Sequence, residues 1–140
     1  MPRQVAAIRP LRREDEPLLF GLARMTFGDE AGWDDGRTRT VLETEQVFVA
    51  EIGRLPTGFV ALEEAGEAVR IDELLVTPDH QAEDVGTQLL EWAEGYAISV
   101  GAARLEVVVE QENAPAQQFY RSRGFVPAAA ELFELVLPRP

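Results

Sequence analysis

The stretch from Ile71 to Phe125 constrains the fold of this 140-residue chain more than any other. A strand that ends at Val76 is followed by a turn, a long amphipathic helix after Asp84 and a second apolar strand, Leu105 to Val109. Strand, helix and strand in this order predict a crossover unit with two parallel strands. Ligands of such units usually bind beyond the carboxyl ends of the strands, so we expect the binding end at the turn after Val76.

Apolar periodicity predicts the remaining elements. Helices are expected from Asp15, as the cap, to Phe27 and over Arg37 to Glu43. The other strands are expected at Ala6–Leu11, Val47–Ile52, Phe59–Leu62 and Val69–Val76, with one or two antiparallel strands from Phe125 and through Leu132–Leu137. We therefore expect one α/β domain with a mixed sheet over residues 1–140.

The helix after Asp84 carries the clearest pattern. Its core-facing stripe is predicted to contain Val85, Leu89, Trp92 or Ala93, Tyr96 and Val100. The polar side chains Gln88, Glu91 and Glu94 are expected on the solvent side. Gly101 suits the left-handed residue that ends many helices.

Charge and composition exclude several classes of function. The formal net charge is −12, and all 13 basic residues are arginines. Nucleic acid is therefore an unsuitable partner. An acidic field would favour a cationic ligand, whereas the charge alone is better explained by a solvated acidic surface that keeps the chain soluble. The chain has no cysteine and a single histidine, so we expect no metal site. No apolar run is long enough to span a bilayer and no secretory signal is visible, so we expect no membrane association and a cytoplasmic location.

The same stretch resembles the GNAT N-acetyltransferases. The likeness is carried by Val76-Thr77-Pro78, by a turn ending in Gly86, and by Asn-x-Pro-x-x-x-Phe-Tyr-x-x-x-Gly from Asn113 to Gly124. The resemblance covers most of the chain. It implies a mixed, mostly antiparallel sheet whose central parallel pair splays around a cofactor cleft, flanked by about four helices.

The resemblance also implies a chemistry, in which an amine attacks the thioester of acetyl-CoA directly. Backbone amides of the turn would hold the CoA pyrophosphate, and Val76 would pair with the pantetheine arm. The cofactor-binding residues expected on this basis are Leu75, Val76, Gln81, Asp84, Val85, Gly86, Thr87 and Asn113.

The turn departs from the family pattern at one position. The pattern is Gln or Arg, two residues, Gly, one residue, and Gly or Ala. Gln81 and Gly86 match it, whereas Asp84 replaces the first glycine and Glu83 adds another negative charge. As local structure, Asp84 is predicted to be the N-cap of the following helix, with its carboxylate accepting from first-turn amides. Such a carboxylate would compete with the pyrophosphate for donors.

The expected catalytic residues are Tyr120, Asp72 and Glu73. Tyr120 matches the general acid of the family, although a tyrosine packed in the core would look the same. Adjacent strand residues point to opposite faces, so at most one of the two acids can face a cleft unless the strand bulges. One would be the base and the other would recognise a cation, or both would face solvent. Asn113 matches the family asparagine and equally suits a helix N-cap.

We therefore expect an acetyl-CoA-dependent N-acetyltransferase that acts on a primary amine of a small molecule or peptide. The acids named above and the acidic loop around Trp33 favour a cationic acceptor. A GNAT-like CoA-binding or regulatory module without catalysis, suggested by Asp84, and a protein-interaction domain remain alternatives. A homodimer is compatible with the sequence.

Overall fold

The computed structural model describes residues 5–27, 35–77 and 84–138. Trp33, Gln81 and Glu83, which carried expectations above, lie outside these ranges. The described residues form seven β-strands and four α-helices. In chain order they are β1 (Ala7–Pro10), a 3-10 turn (Arg13–Asp15), α1 (Glu16–Phe27), α2 (Asp35–Thr44), β2 (Gln46–Ile52), β3 (Leu55–Ala65), β4 (Ala68–Val76), α3 (Val85–Ser99), β5 (Arg104–Val108), α4 (Ala114–Ser122), β6 (Val126–Ala129) and β7 (Leu132–Val136).

The strands form one mixed sheet in the order β1-β2-β3-β4-β5-β7-β6. Every neighbouring pair is antiparallel except β4 and β5, which run parallel on either side of α3 in the sequence. The predicted fold class is therefore confirmed, including its central parallel pair and four helices. The strand predicted over Phe59–Leu62 is longer than expected, since β3 is an eleven-residue strand.

Two apolar clusters cover the two faces of the sheet. On one face, which we call the α3/α4 side, Leu89 of α3 and Tyr120 of α4 pack against Val60 and Val69. On the other, the α1/α2 side, Leu19 and Val41 belong to a smaller cluster that also contains Phe59 and Leu75. Successive residues of β2, β3 and β4 belong alternately to the two clusters, because neighbouring side chains of a strand point to opposite faces of the sheet.

Helix α3 packs its small and branched residues against the sheet. Val85, Leu89, Ala93 and Ala97 are fully buried. Two expectations for this helix are wrong. Val100 is 45% exposed, and Gln88, predicted to face solvent, is buried because its Oε1 accepts a hydrogen bond of 2.8 Å from the Ala6 amide of the chain before β1.

The end of α3 follows the prediction. Gly101 directly follows the last helical turn and has φ of +77°, the left-handed conformation that glycine adopts without steric cost. Within the residues that the structure describes, no helix has both the length and the apolar character needed to cross a membrane.

Candidate active site

The cleft begins where the parallel ladder of β4 and β5 ends. The last residue pair joins Ile71 and Val107, yet β4 continues to Val76 while its other edge stays paired with β3. The carboxyl-terminal half of β4 therefore borders a gap in the sheet. This gap lies at the end of the crossover unit where ligands are expected.

An ion pair fixes the ladder just before it ends. Glu106 of β5 lies opposite Arg70 of β4, is 3% exposed, and accepts hydrogen bonds of 2.6 and 3.1 Å from the Arg70 guanidinium. The Arg104 guanidinium donates to its other oxygen at 3.4 Å. The sequence analysis missed this buried carboxylate, because only the register of the two strands brings the pair together.

Strand β4 bulges at the first residue beyond the ladder. Glu73 pairs with Ala61 and Ile71 pairs with Leu62, which leaves Asp72 as an extra residue without a partner position on β3. The two acids were expected on opposite faces unless the strand bulged. Because it does, both carboxylates lie on the α1/α2 side. There Asp72 bonds to Glu63 of β3 and to Glu45, which precedes β2, and Glu73 lies opposite Ala61, a residue of that cluster.

Three carboxyl groups form what we call the carboxylate cluster, Glu45, Glu63 and Asp72. Asp72 makes side-chain hydrogen bonds to both of the others. Burial, followed by the Asp72 hydrogen bond, raises the pKa of Glu45 to about 8. The hydrogen bond to Asp72 also raises the pKa of Glu63. The cluster therefore holds a proton near neutral pH, since carboxylates this close cannot all ionise.

Glu73 is the most buried acid of β4, with 8% exposure. Its negative charge reaches Tyr120, since burial and then the charge of Glu73 raise the pKa of that phenol. A raised pKa keeps the phenol protonated at neutral pH. Glu73 of β4 and Tyr120 of α4, two of the residues predicted to be catalytic, are therefore within electrostatic range of each other, although they belong to different sides of the sheet.

Tyr120 lies in a small aromatic group. Its ring makes edge-to-face contacts with Phe119 and Phe125, at centroid distances of 5.1 and 5.3 Å. It is 7% exposed and belongs to the core of the α3/α4 side. Tyr120 therefore does pack in the core, which was the alternative considered above. This position is compatible with a phenol whose pKa is raised by burial and by the charge of Glu73.

Asn113 holds the start of α4. Its side-chain Oδ1 accepts a hydrogen bond of 3.2 Å from the Ala116 amide, and Pro115 occupies the first turn. The N-cap expectation is confirmed. A cofactor contact by the exposed Asn113 stays a prediction.

The start of α3 supplies the amides expected to bind pyrophosphate. The first intrahelical bond runs from the Gln88 amide to the Asp84 carbonyl at 3.1 Å, so the amides of Val85, Gly86 and Thr87 precede the helical ladder. Asp84 occupies the N-cap position, yet its side chain makes no capping hydrogen bond. The predicted carboxylate cap is therefore wrong.

The backbone of Asp84 explains why that cap fails. Its φ of 64° and ψ of 17° are left-handed, whereas a capping residue needs an extended backbone to direct its side chain at the first turn. Glycine, which the family pattern has at this position, adopts this left-handed conformation most easily. The amides are thus not capped by the Asp84 carboxylate, and they fit a phosphate in this respect.

The first turn of α3 packs closely on the end of β4. A Cβ atom built on Gly86 would lie 3.8 Å from side-chain atoms of Leu74 and Val76 and 3.9 Å from Phe119. Leu75, in contrast, buries its side chain on the α1/α2 side, so it can meet a ligand in the gap only through its backbone.

One cationic residue near the start of α3, Arg123, was not among the predicted site residues. Arg123, the residue after α4, donates a hydrogen bond of 2.9 Å from Nη2 to the Thr87 hydroxyl in the first turn of α3. The two residues are 36 positions apart, so no local pattern could have indicated the contact. Over the part of the chain that the structure describes, no group of acidic or histidine side chains is arranged to hold a metal ion.

The raised pKa of Glu45 predicts a pH-dependent stability. An unfolded glutamate has a pKa of 4.5, whereas that of folded Glu45 is about 8. The folded state therefore binds more protons between these values, and stability falls as the pH rises through this window. We expect Glu45→Gln to stabilise the protein at pH 8 by about 1–2 kcal/mol, after allowance for solvent screening, and to give no such gain at pH 4.5.

Urea denaturation of both proteins at the two pH values measures this difference. Glu43→Gln, which removes an exposed carboxylate of α2 two residues earlier, is the matched control and should show no pH-dependent gain. Equal stabilisation by Glu45→Gln at both pH values would show that Glu45 carries no proton in the folded state.

Comparison with known proteins identifies the family of this arrangement. A sequence model described as an acetyltransferase (GNAT) domain matches residues 43–127. An uncharacterized N-acetyltransferase of Methanocaldococcus jannaschii is 36% identical over 85 residues, which is 56% of this chain and 38% of that protein. The match thus spans well under half the length of that relative.

Two solved structures share the fold. The ribosomal-protein-S18-alanine N-acetyltransferase of Escherichia coli superposes with a TM-score of 0.83 at 20% identity, covering 97% of this chain and 96% of that one. The PaiA N-acetyltransferase of Thermoplasma acidophilum, solved in complex with coenzyme A, gives 0.71 at 18% identity, with 93% and 96% covered. The domain match and the shared architecture together show that this chain belongs to the GNAT family of acetyltransferases.

Proposed function

We propose that this chain transfers an acetyl group from acetyl-CoA to a primary amine. The observation that carries the proposal is the proximity of Glu73, in the half of β4 beyond the parallel ladder, to Tyr120 of α4, close enough for the charge of Glu73 to raise the pKa of the phenol. Glu73 borders the gap beside β4, and the phenol lies within electrostatic range of it. The start of α3, which supplies amides for an anion, borders the same gap.

The transfer needs two proton movements. The amine nitrogen forms a bond to the acetyl carbon as the carbon–sulfur bond breaks. Glu73 accepts one proton from the incoming ammonium, directly or through water, and Tyr120 gives its proton to the departing sulfur. The second proton, released from nitrogen as the amide forms, restores the phenol. The products are an acetylated amine, a free thiol and one proton.

The acceptor that suits this site is cationic. Both acids of the bulge lie on the α1/α2 side, and the carboxylate cluster adds two more acids there. With a net charge of −12, the field of the chain favours approach of a positively charged amine. The acceptor is thus a small molecule or a peptide that carries an ammonium group.

Tyr120→Phe is expected to lower turnover by ~10²–10⁴-fold, the usual contribution of a general acid, while CoA binding stays unchanged. The fold should persist, because phenylalanine keeps the two ring contacts that hold this side chain. The measurement is acetyl transfer to polyamines, aminoglycosides, lysine peptides and neutral aryl amines.

Phe125→Leu serves as the matched control, because it disturbs the same aromatic group and leaves the phenol in place. Wild-type turnover in the Tyr120→Phe variant, with chemistry rate-limiting, would remove the phenol from the mechanism. A preference for neutral amines that does not respond to salt would contradict the cationic acceptor. Acetyl-CoA binding with no transfer to any amine would favour the alternative of a binding module.

Asp84→Asn is expected to tighten CoA binding several-fold or more. A unit charge about 4 Å from a phosphate charge costs roughly 1 kcal/mol in water and about 4 kcal/mol at an effective dielectric constant near 20. Asparagine tolerates the left-handed backbone that Asp84 adopts, so this substitution removes the charge without changing the backbone conformation.

Asp84→Gly should tighten binding similarly and leave thermal stability equal or higher, because no capping bond is lost and the left-handed strain is relieved. Calorimetric titration and thermal unfolding measure both effects, with Glu14→Gln as a control for removal of an exposed acid far from α3. Unchanged CoA affinity in both Asp84 variants would show that the carboxylate points away from the phosphates. A loss of stability in the glycine variant would show that Asp84 caps the helix after all.

A further inference from the structure

The anion site expected at the start of α3 lies next to negatively charged residues, which oppose the binding of an anion. Glu83 and Asp84 directly precede the helix in the sequence, and no lysine occurs anywhere in the chain. Three backbone amides and a helix dipole supply only about half a positive charge, which does not balance two acids and a diphosphate. Positive charge must therefore come from an arginine outside the turn.

The end of α4 places such an arginine beside the turn. The helix stops in a left-handed residue, Gly124 with φ of +97°, and the Phe125 amide returns to the Tyr120 carbonyl at 3.1 Å. This reversal leaves Arg123 as the C-cap residue, with φ of −98° and ψ of 8°. The backbone conformation of this C-cap residue therefore sets the direction in which the Arg123 side chain leaves α4.

The Arg123 side chain contacts Thr87 of α3 and Phe119 of α4. Nη2 donates to the Thr87 hydroxyl at 2.9 Å, and the guanidinium carbon lies 6.0 Å from the ring centroid of Phe119. The same ring would lie 3.9 Å from a Cβ atom on Gly86. The cation is thus fixed next to the residues whose amides begin the helix.

We propose that Arg123 is a cofactor-binding residue that supplies the positive charge for the diphosphate of CoA. The proposal rests on the proposed function and extends it to a residue outside the family turn pattern. A guanidinium is always charged and presents a planar fork of N–H donors that matches phosphate oxygens. A cation held by Thr87 in the first turn of α3 explains how a chain with acidic residues before this helix can bind an anionic cofactor.

The test is calorimetric titration of three ligands, CoA, dephospho-CoA and pantetheine, into wild type, Arg123→Gln and Arg121→Gln. Arg121 is the matched control, since it is exposed on the same helix, stacks on Phe133 instead, and loses the same charge on substitution. Far-UV circular dichroism and thermal unfolding establish that each variant is folded.

We expect Arg123→Gln to weaken CoA and dephospho-CoA binding alike by about tenfold to a hundredfold, as the loss of a charge-assisted contact predicts. Arg121→Gln should stay within about twofold of wild type, and pantetheine binding should be the same in all three proteins. The affinity of wild type should also fall more steeply with salt than that of Arg123→Gln.

Three results would overturn the inference in different ways. Equal CoA affinity of Arg123→Gln and Arg121→Gln would remove Arg123 from the cofactor site while leaving the proposed function intact. A loss seen with CoA and absent with dephospho-CoA would assign Arg123 to the 3′-phosphate and contradict its role at the diphosphate. Failure of folded wild type to bind CoA at all would overturn the proposed function itself, and this inference with it.

Discussion

Four residue pairs hold β4 to β5, from Ala68–Arg104 to Ile71–Val107, and the candidate site lies beyond the last of them. The buried Glu106 carboxylate and the partly exposed Arg70 guanidinium form an ion pair at the third pair, one residue pair before the strands separate. A longer ladder would fill the gap, because each further pair would occupy the edge of β4 that a ligand needs. Antiparallel pairing with β3 keeps the separated half of β4 in place.

The bulge at Asp72 begins at this same point and gives the site its polarity. By adding one residue to β4, it turns two adjacent acids to the α1/α2 side, where Glu45 and Glu63 surround Asp72. The carboxyl end of β4 packs against the first turn of α3, where Gly86 lies near Leu74 and Val76 and Arg123 bonds to Thr87. Negative groups at the bulge and positive groups at this helix start are therefore separated along β4. Such a separation suits a reaction whose two substrates carry opposite charges.

The sequence was sufficient for the fold because its signals there are local. The crossover from β4 through α3 to β5, the left-handed stop at Gly101 and the N-cap at Asn113 each follow from residues close together in the chain, and each was predicted. Gln88 was misplaced on the solvent side because its partner, the Ala6 amide, is 82 residues away and invisible to helical periodicity.

The candidate site was less predictable, because its geometry depends on register and backbone conformation. The bulge is a mismatch between β3 and β4, and no pattern within β4 reveals it. Asp84 is a good capping residue by type, yet its left-handed backbone prevents capping. The contacts of Glu45 with Asp72 and of Arg123 with Thr87 join distant segments, so these two charged residues emerged only from the structure.

The central claim is that the gap beyond Ile71 and Val107 binds acetyl-CoA through the first turn of α3 and the edge of β4. A titration of ¹⁵N-labelled protein with acetyl-CoA, followed by amide chemical shifts, tests it most directly. We expect the largest and saturable shifts at the amides of Val85, Gly86 and Thr87, which precede the helical ladder, with a second group in β4 near Val76. Saturable shifts confined to another part of the sheet, or none at millimolar ligand, would contradict the claim.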